Sequence, residues 1–132
     1  MKTRVFIDGK EGTTGLQIYE RFQNRNDVEI MLIDEEKRKD VNERAKMINS
    51  SDITFLCLPD AAAIEAASLC TNPDVRIIDA STAHRTNPAW DYGFPEVSEK
   101  HIEKTCKANK SSNKANNIDI TGKYKTDLIY NK

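Results

Sequence analysis

The sequence predicts an α/β fold built on a Rossmann-like, doubly wound parallel sheet. Three observations predict it. Strand-like and helix-like segments alternate along the first hundred residues, the connections between them are short, and the strand-like segments are almost continuously apolar. Continuously apolar strands are typical of parallel sheets that helices cover on both faces. Right-handed crossovers then leave few topologies, of which the doubly wound sheet is the simplest.

The first half of the chain predicts two strand–helix units. Residues 4–7 are short and β-prone, and a helix with one apolar side is predicted to begin near Thr14. Residues 28–33 form the second strand. Asp40, with Glu43 three positions later, has the arrangement of a capping box at the start of the second helix. The apolar side of that helix is predicted to consist of Val41, Arg44, Ala45 and Ile48.

The next part of the chain repeats the pattern. Residues 53–58 are nearly all apolar and are predicted to form a strand that Pro59 ends. Asp60 is predicted to cap an alanine-rich helix that runs to about Cys70. Residues 75–78 form the fourth strand. The order β-α-β-α-β-α-β follows from these assignments.

The character of the chain changes towards its end. Residues 83–97 are predicted to be irregular, and residues 98–108 to form a helix. Residues 1–103 carry 13 basic and 19 acidic side chains, whereas residues 104–132 carry seven lysines and two aspartates. We therefore predict one Rossmann-like domain over residues 1–110 and an aberrant, weakly structured Lys/Asn-rich tail over residues 111–132, with at most a marginal hairpin around Gly122.

Composition excludes several classes of protein. The 20 basic and 21 acidic residues nearly cancel, which argues against a nucleic-acid partner recognised through overall basicity. The three cysteines have no CxxC spacing, so neither a disulfide framework nor a zinc site is predicted. No segment is apolar over the roughly 18 residues of a membrane span, and the N-terminus lacks a signal peptide. A cytoplasmic protein without a membrane partner is expected.

The segment GKEGTTG lies directly between the first strand and the first helix. Glycines permit a sharp strand-to-helix turn and let a pyrophosphate approach backbone N–H groups, to which the helix N-terminus adds its partial positive charge. The spacing is GxxGxxG, and the absence of a following GK[ST] excludes a P-loop. The alternative is that the glycines serve only the turn. The candidate cofactor-binding residues here are Gly9, Gly12, Thr13, Thr14 and Gly15.

A second candidate subsite lies at the end of the second strand. Asp34 stands where a dinucleotide-binding fold places the residue that senses the ribose. Lys37, Arg38 and Lys39 follow it, and nearby cations accommodate a 2′-phosphate. These residues favour NADP over NAD as the cofactor. The alternative is a solvated turn of mixed charge.

Two further segments end the third and fourth strands, and the carboxyl ends of parallel strands face one crevice. Pro59 and Ser81 are therefore candidate cofactor-binding residues, and Thr82, His84 and Arg85 are polar groups that can face a nicotinamide or an anionic substrate. The alternative is that the hydroxyls only cap a turn and that His84 is an exposed loop residue.

Four segments carry a resemblance to a known family. In chain order they are VFIDGKEGTTGLQIYERF, LCLPD, IDASTAHR and YGFPE. They resemble segments of the short-form N-acetyl-gamma-glutamyl-phosphate reductases of arginine biosynthesis. The resemblance implies an NADP-binding Rossmann domain followed by an α+β catalytic domain. In the family's oxidoreductase reaction, a cysteine thiolate attacks an acyl phosphate and NADPH reduces the resulting thioester to the aldehyde.

The resemblance ends near residue 110. The family's cysteine lies in an NPGCYPTG-like segment, whereas this chain continues KANKSSNKANNIDITGKYKTDLIYNK. None of Cys57, Cys70 and Cys106 is a convincing nucleophile, because the first two lie in apolar segments and the third has no base nearby in sequence. We expect a truncated fragment that lacks the catalytic domain, binds NADP and is inactive alone.

Two other hypotheses concern partners. A stand-alone NADP-binding or partner-binding module, with the lysine-rich tail as its interaction element, would have an ordered tail that packs on the domain. Self-association is expected through an exposed aromatic loop, because Trp90, Tyr92 and Phe94 would lack the cover of a second domain.

Overall fold

The computed structural model describes residues 1–87, 89–92 and 117–119. Six strands and three helices are present in these residues, and a 3-10 turn spans Glu35–Lys37. In chain order the helices and strands are β1 Thr3–Asp8, α1 Thr13–Phe22, β2 Val28–Met31, α2 Val41–Ser50, β3 Ile53–Leu56, α3 Asp60–Ser68, β4 Arg76–Asp79, β5 Asp91–Tyr92 and β6 Asn117–Asp119.

All six strands are parallel and lie in one sheet with the order β2-β1-β3-β4-β6-β5. The chain leaves β1 for β2 in one direction and then crosses to β3 on the other side of β1. The strand order therefore reverses between β1 and β3, which is where open α/β sheets bind ligands, beyond the carboxyl ends of the strands. The predicted Rossmann-like parallel sheet is confirmed.

Side chains alternate between the two faces of the sheet and form two separate cores. Helix α1 covers one face, and α2 and α3 cover the other, as right-handed crossovers require. The core on the α1 face consists of Val5, Ile7, Ile18, Phe22 and Phe55. The core on the opposite face consists of Phe6, Ile48, Leu56, Ala66, Val75 and Ile77.

The start of α2 follows its sequence signal only in part. The Asp40 carboxylate accepts hydrogen bonds from the N–H groups of Asn42 (2.8 Å) and Glu43 (3.3 Å), so Asp40 is the predicted N-cap. The Asp40 N–H donates to the carbonyl of Lys37, so the reciprocal bond of a capping box is replaced by a backbone turn. Val41, predicted on the apolar side, is exposed.

The predicted role of Asp60 as a helix cap is wrong. The N-cap of α3 is Pro59, and the structure gives it no side-chain cap. The Asp60 carboxylate instead accepts hydrogen bonds from the Thr82 N–H (3.0 Å) and the Thr82 hydroxyl. These bonds lower the pKa of Asp60 and tie the start of α3 to the segment after β4.

The second half of the sheet contains strands that the sequence did not predict. Asp91–Tyr92 lies in the segment 83–97 that was expected to be irregular. Asn117–Asp119, which pairs with both β4 and β5, lies in the tail that was expected to be weakly structured. The rest of that tail, with the Gly122 hairpin, and the predicted helix at 98–108 lie outside the described residues, so the domain division at residue 110 remains a prediction. Within the described residues, no helix has the length and apolar character needed to cross a membrane.

Candidate functional site

The turn between β1 and α1 needs glycine at two of its three glycine positions. Gly9 has a φ of +86°, and a Cβ there would lie 2.3 Å from the carbonyl oxygen of Cys57. A Cβ on Gly15 would lie 2.2 Å from the carbonyl oxygen of Gly9. Both distances are impossible for a carbon atom, so these two glycines pack the turn against β3 and α1 whether or not a ligand binds.

Gly12 differs from the other two glycines. Its φ of −74° and ψ of 165° are open to any residue, and the nearest atom to a Cβ, the carbonyl oxygen of Gly9, would lie at 3.4 Å. Folding alone therefore does not require glycine at position 12. A cavity of about 180 Å³ adjoins it and is lined by Gly12, Thr13, Thr14, Cys57, Leu58 and Ala80.

The backbone N–H groups of the first turn of α1 are available to a ligand. Gly12 is the N-cap and offers no side chain, and the first turn of the helix has no acidic residue. In the part of the chain that the structure describes, no acceptor lies on the N–H groups of Thr13, Thr14 and Gly15. Unpaired N–H groups at a helix N-terminus carry partial positive charge, so they form a site for an anion such as a phosphate.

A larger cavity of about 620 Å³ lies beside this turn, at the carboxyl ends of β1 and β2. Its apolar wall comes from the strand ends and from Leu58 and Ala62. Its volume lies within the usual range of a cofactor pocket, roughly 300–1,000 Å³. The charged side chains that line it are Asp8, Lys10, Glu11, Asp34, Glu35, Arg38, Lys39, Arg44 and Glu65.

The structure separates the three predicted cations. Arg38 and Lys39 line the larger cavity, whereas Lys37 does not. The Lys37 ammonium lies 3.8 Å from the carboxylate of Asp34, and both side chains are exposed. The Arg38 guanidinium lies 3.9 Å from the carboxylate of Glu11. This contact joins the segment after β2 to the glycine turn. Arg38 and Lys39 are therefore better placed than Lys37 to meet a ligand.

A buried ion pair, which the sequence interpretation missed, lines part of this cavity. Arg44 donates two hydrogen bonds to one oxygen of Asp8, at 2.8 and 3.1 Å, and its guanidinium lies 4.0 Å from the carboxylate of Glu65. Asp8 is 6% and Arg44 7% exposed. Burial raises the pKa of Asp8, and the hydrogen bonds from Arg44 oppose that rise. The available signal was an arginine within the apolar side of α2.

The segment after β4 is organised around a buried carboxylate. Asp79 is fully buried and accepts hydrogen bonds from the Ser81 N–H and hydroxyl, each at 2.8 Å. The Nδ1 atom of His84 lies 2.5 Å from the same carboxylate. The Ser81 hydroxyl also accepts from the Ala83 N–H, so its donor and an acceptor position are both used.

The alternative that His84 is an exposed loop residue is wrong, because His84 is 6% exposed. Its ring stacks on Trp90 with the ring centroids 3.9 Å apart. Trp90 itself is half-buried and packs against the core on the α2–α3 face. The side chains of Tyr92 and Phe94 lie outside the described residues.

Two of the three cysteines lie in the described residues, and both are half-buried. Cys57 packs against the core on the α1 face and also borders the smaller cavity. Cys70 lies beyond α3 with its sulfur 3.6 Å from the carbonyl oxygen of Asn72, and burial raises the pKa of its thiol. Among the described residues no three His, Cys, Asp or Glu side chains are grouped to hold a metal ion.

Comparison with known proteins agrees with this geometry. Residues 4–105 match the family described as semialdehyde dehydrogenase, NAD binding domain. The chain is 52% identical over 109 residues to N-acetyl-gamma-glutamyl-phosphate reductase 2 of Pseudomonas putida and 54% identical over 112 residues to the protein of that name from Nostoc sp.. These matches cover 83% and 85% of this chain, so the resemblance stated from the sequence motifs is confirmed.

The chain spans only 35% of the length of these two relatives. Solved structures with the same fold include aspartate semialdehyde dehydrogenase from Francisella tularensis, with a TM-score of 0.63 at 12% identity, covering 97% of this chain and 38% of that one. Aspartate semialdehyde dehydrogenase II from Vibrio cholerae gives a TM-score of 0.61 at 19% identity, covering 96% of this chain and 39% of that one.

Proposed function

The chain belongs to the family of semialdehyde dehydrogenase NAD-binding domains, and we propose that it binds NADP(H) across the carboxyl ends of β1, β2 and β3. The pyrophosphate lies on the glycine turn, the adenosine half occupies the larger cavity, and the nicotinamide half extends past the smaller one. Family membership supports a nicotinamide nucleotide as the cofactor. The choice of NADP over NAD and the individual contacts are our proposal.

The observation that carries this proposal is the contrast among the three glycines. Gly9 and Gly15 are explained by the fold, whereas Gly12 is not and lies beside three N–H groups that lack acceptors. A side chain at Gly12 would stand between a phosphate and these N–H groups. Donation of hydrogen bonds from the N–H groups of Thr13, Thr14 and Gly15 to the pyrophosphate explains why position 12 is a glycine.

The remaining site residues divide by what their side chains touch. Asp34, at the cavity wall, accepts hydrogen bonds from the ribose, and Arg38 meets the 2′-phosphate with Lys39 beside it. Lys37 adds charge from outside the cavity. Pro59 is the N-cap of α3 and directly follows Leu58, which lines both cavities. Ser81 is held by its hydrogen bonds to Asp79 in the segment after β4, and we propose that it borders the nucleotide from there.

We propose that the chain corresponds to the nucleotide-binding part of a cytoplasmic N-acetyl-gamma-glutamyl-phosphate reductase, an enzyme that makes N-acetylglutamate semialdehyde in arginine biosynthesis. NADPH supplies hydride to the acyl group in that reaction. The chain's own residues supply the cofactor site. Burial raises the pKa of the Cys70 thiol, which disfavours its reactive thiolate, and Cys57 packs against the core on the α1 face, so we expect the 132-residue chain to bind nucleotide without turning over substrate.

Calorimetric titration of the 132-residue protein with NADP⁺ and NAD⁺ tests this proposal. We expect both to bind, with NADP⁺ at least about tenfold tighter, because a charge-assisted hydrogen bond from Arg38 to the 2′-phosphate is worth roughly 1.5–3 kcal/mol. The same preparation is expected to show no NADP⁺-dependent oxidation of N-acetylglutamate semialdehyde in phosphate buffer. Absence of binding, or a preference for NAD⁺, would contradict the cofactor assignment, and turnover would contradict the proposal of inactivity.

One observation favours a second function, that of a stand-alone nucleotide-binding or partner-binding module. Asn117–Asp119, within the lysine-rich tail, lies in the sheet between β4 and β5. Nucleotide affinity that is unchanged after deletion of residues 111–132, together with loss of an interaction partner, would support the module. Loss of the fold after the same deletion would show that the tail is part of the domain core.

A further inference from the structure

The glycine turn carries an acidic side chain at the mouth of the larger cavity. Glu11 lies between Gly9 and Gly12, and both Glu11 and Arg38 line that cavity. The Glu11 carboxylate lies 3.9 Å from the Arg38 guanidinium, with about half of each side chain exposed. The Glu11 carboxylate therefore lies beside Arg38, the arginine that is best placed to meet a phosphate. Because both side chains are half-exposed, the pair can separate.

The balance of charges in the cavity determines which side chains can meet an anionic ligand. Its lining holds five carboxylates and four cations, a formal excess of one negative charge. Arg44 is committed to Asp8 by two hydrogen bonds, which leaves Lys10, Arg38 and Lys39 to face a ligand. The Lys10 ammonium lies 4.2 Å from the centre of the Tyr19 ring. A dianionic group that enters the cavity therefore depends on Lys10, Arg38 and Lys39 for its favourable charge contacts.

We propose that Glu11 is an internal competitor for Arg38, which the 2′-phosphate of the nucleotide displaces, so that the Glu11–Arg38 pair sets the discrimination between NADP and NAD. This inference rests on the proposed function of the site. A phosphate monoester carries about −1.5 to −2 charges at neutral pH, against one for Glu11, and it offers three acceptor oxygens to the planar guanidinium. NAD has no group that takes Arg38 from Glu11, so it binds with the pair intact.

Glu11→Gln removes the competing charge with little change in size. Exposed ion pairs of this kind are worth roughly 0.2–1 kcal/mol, so we expect NADP⁺ to bind about two- to fivefold tighter and NAD⁺ to change much less. Arg38→Gln is expected to weaken NADP⁺ binding by about tenfold with little effect on NAD⁺. In the double variant the Glu11 effect on NADP⁺ is expected to disappear, since its partner has gone.

The experiment is a double-mutant cycle on the 132-residue protein, with calorimetric titration of each variant by NADP⁺ and by NAD⁺. Glu20→Gln is the matched control, because it makes the same change in net charge on the exposed surface of α1, outside the cavity lining. Equal tightening of both nucleotides by Glu11→Gln, or a Glu11 effect that persists without Arg38, would overturn this inference while leaving the proposed function intact. Failure of the unchanged protein to bind either nucleotide would overturn both.

Discussion

Replacing Gly15 with alanine is expected to destabilise the protein by about 3 kcal/mol, a large part of the roughly 5–15 kcal/mol that holds a domain folded. The new Cβ would overlap the carbonyl oxygen of Gly9 at 2.2 Å, its carbonyl carbon at 2.8 Å and the Cα of Lys10 at 2.8 Å. All three are backbone atoms of the strand-to-helix turn, so no side chain can move aside. Chemical denaturation followed by circular dichroism measures the loss.

Gly12 provides the matched comparison for Gly15. Gly12→Ala meets only ordinary contacts, so it is expected to lower stability by no more than about 1 kcal/mol, the usual cost of alanine at an N-cap. Gly12→Val is expected to fold as well, but to weaken NADP⁺ binding about a hundredfold by blocking hydrogen bonds to the pyrophosphate. Gly12→Val that folds and binds NADP⁺ normally would contradict the role assigned to this glycine.

Replacing Arg44 with methionine is expected to cost about 3–5 kcal/mol at neutral pH, because it leaves the Asp8 carboxylate buried without its partner. Methionine has a similar length and no charge, so the loss reports the ion pair more than packing. The double variant Asp8→Leu/Arg44→Met is expected to recover most of this stability, since neither buried charge remains. A double variant as unstable as Arg44→Met would contradict this explanation.

The pH dependence of the Arg44→Met variant gives a separate check. Burial already raises the pKa of Asp8, and loss of the Arg44 hydrogen bonds raises it further. A carboxyl whose pKa is raised in the folded state is tolerated when protonated, and it costs stability as the pH rises through that pKa. The destabilisation by Arg44→Met is therefore expected to shrink as the pH is lowered from about 7 towards 4. A constant or growing difference would contradict the burial argument.

The sequence predicted the parts of the fold that depend on local pattern. The four predicted strand segments became β1 to β4, and the alternation of strand and helix became a doubly wound parallel sheet. The glycine turn was found because its three glycines stand at a fixed spacing between a strand and a helix, a pattern that is visible in the sequence itself. Asp40 capped α2 as predicted for the same reason, since an N-cap contacts only the next few residues.

The missed features are contacts between residues far apart in the chain. Asp8 and Arg44 are 36 positions apart, and the Asp60–Thr82 and Glu11–Arg38 contacts join different strand–helix units. Asp60 is a residue type that commonly caps helices, but here its carboxylate accepts hydrogen bonds from Thr82 in the segment after β4. One of the two alternatives for His84 placed it in the solvent, whereas the buried carboxylate of Asp79 and the ring of Trp90 hold it inside. Such pairings depend on sheet order and register, which local sequence does not determine.

The most direct test of the proposed site is the response of individual backbone amides to the cofactor. In a ¹⁵N-labelled sample of the 132-residue protein titrated with NADP⁺, the largest changes in amide chemical shift are expected at Thr13, Thr14 and Gly15. A second group of changes is expected at Arg38 and Lys39, and this second group should weaken when NAD⁺ replaces NADP⁺ because the 2′-phosphate is absent. Saturation by NADP⁺ that leaves the amides of the glycine turn unperturbed would contradict the central claim.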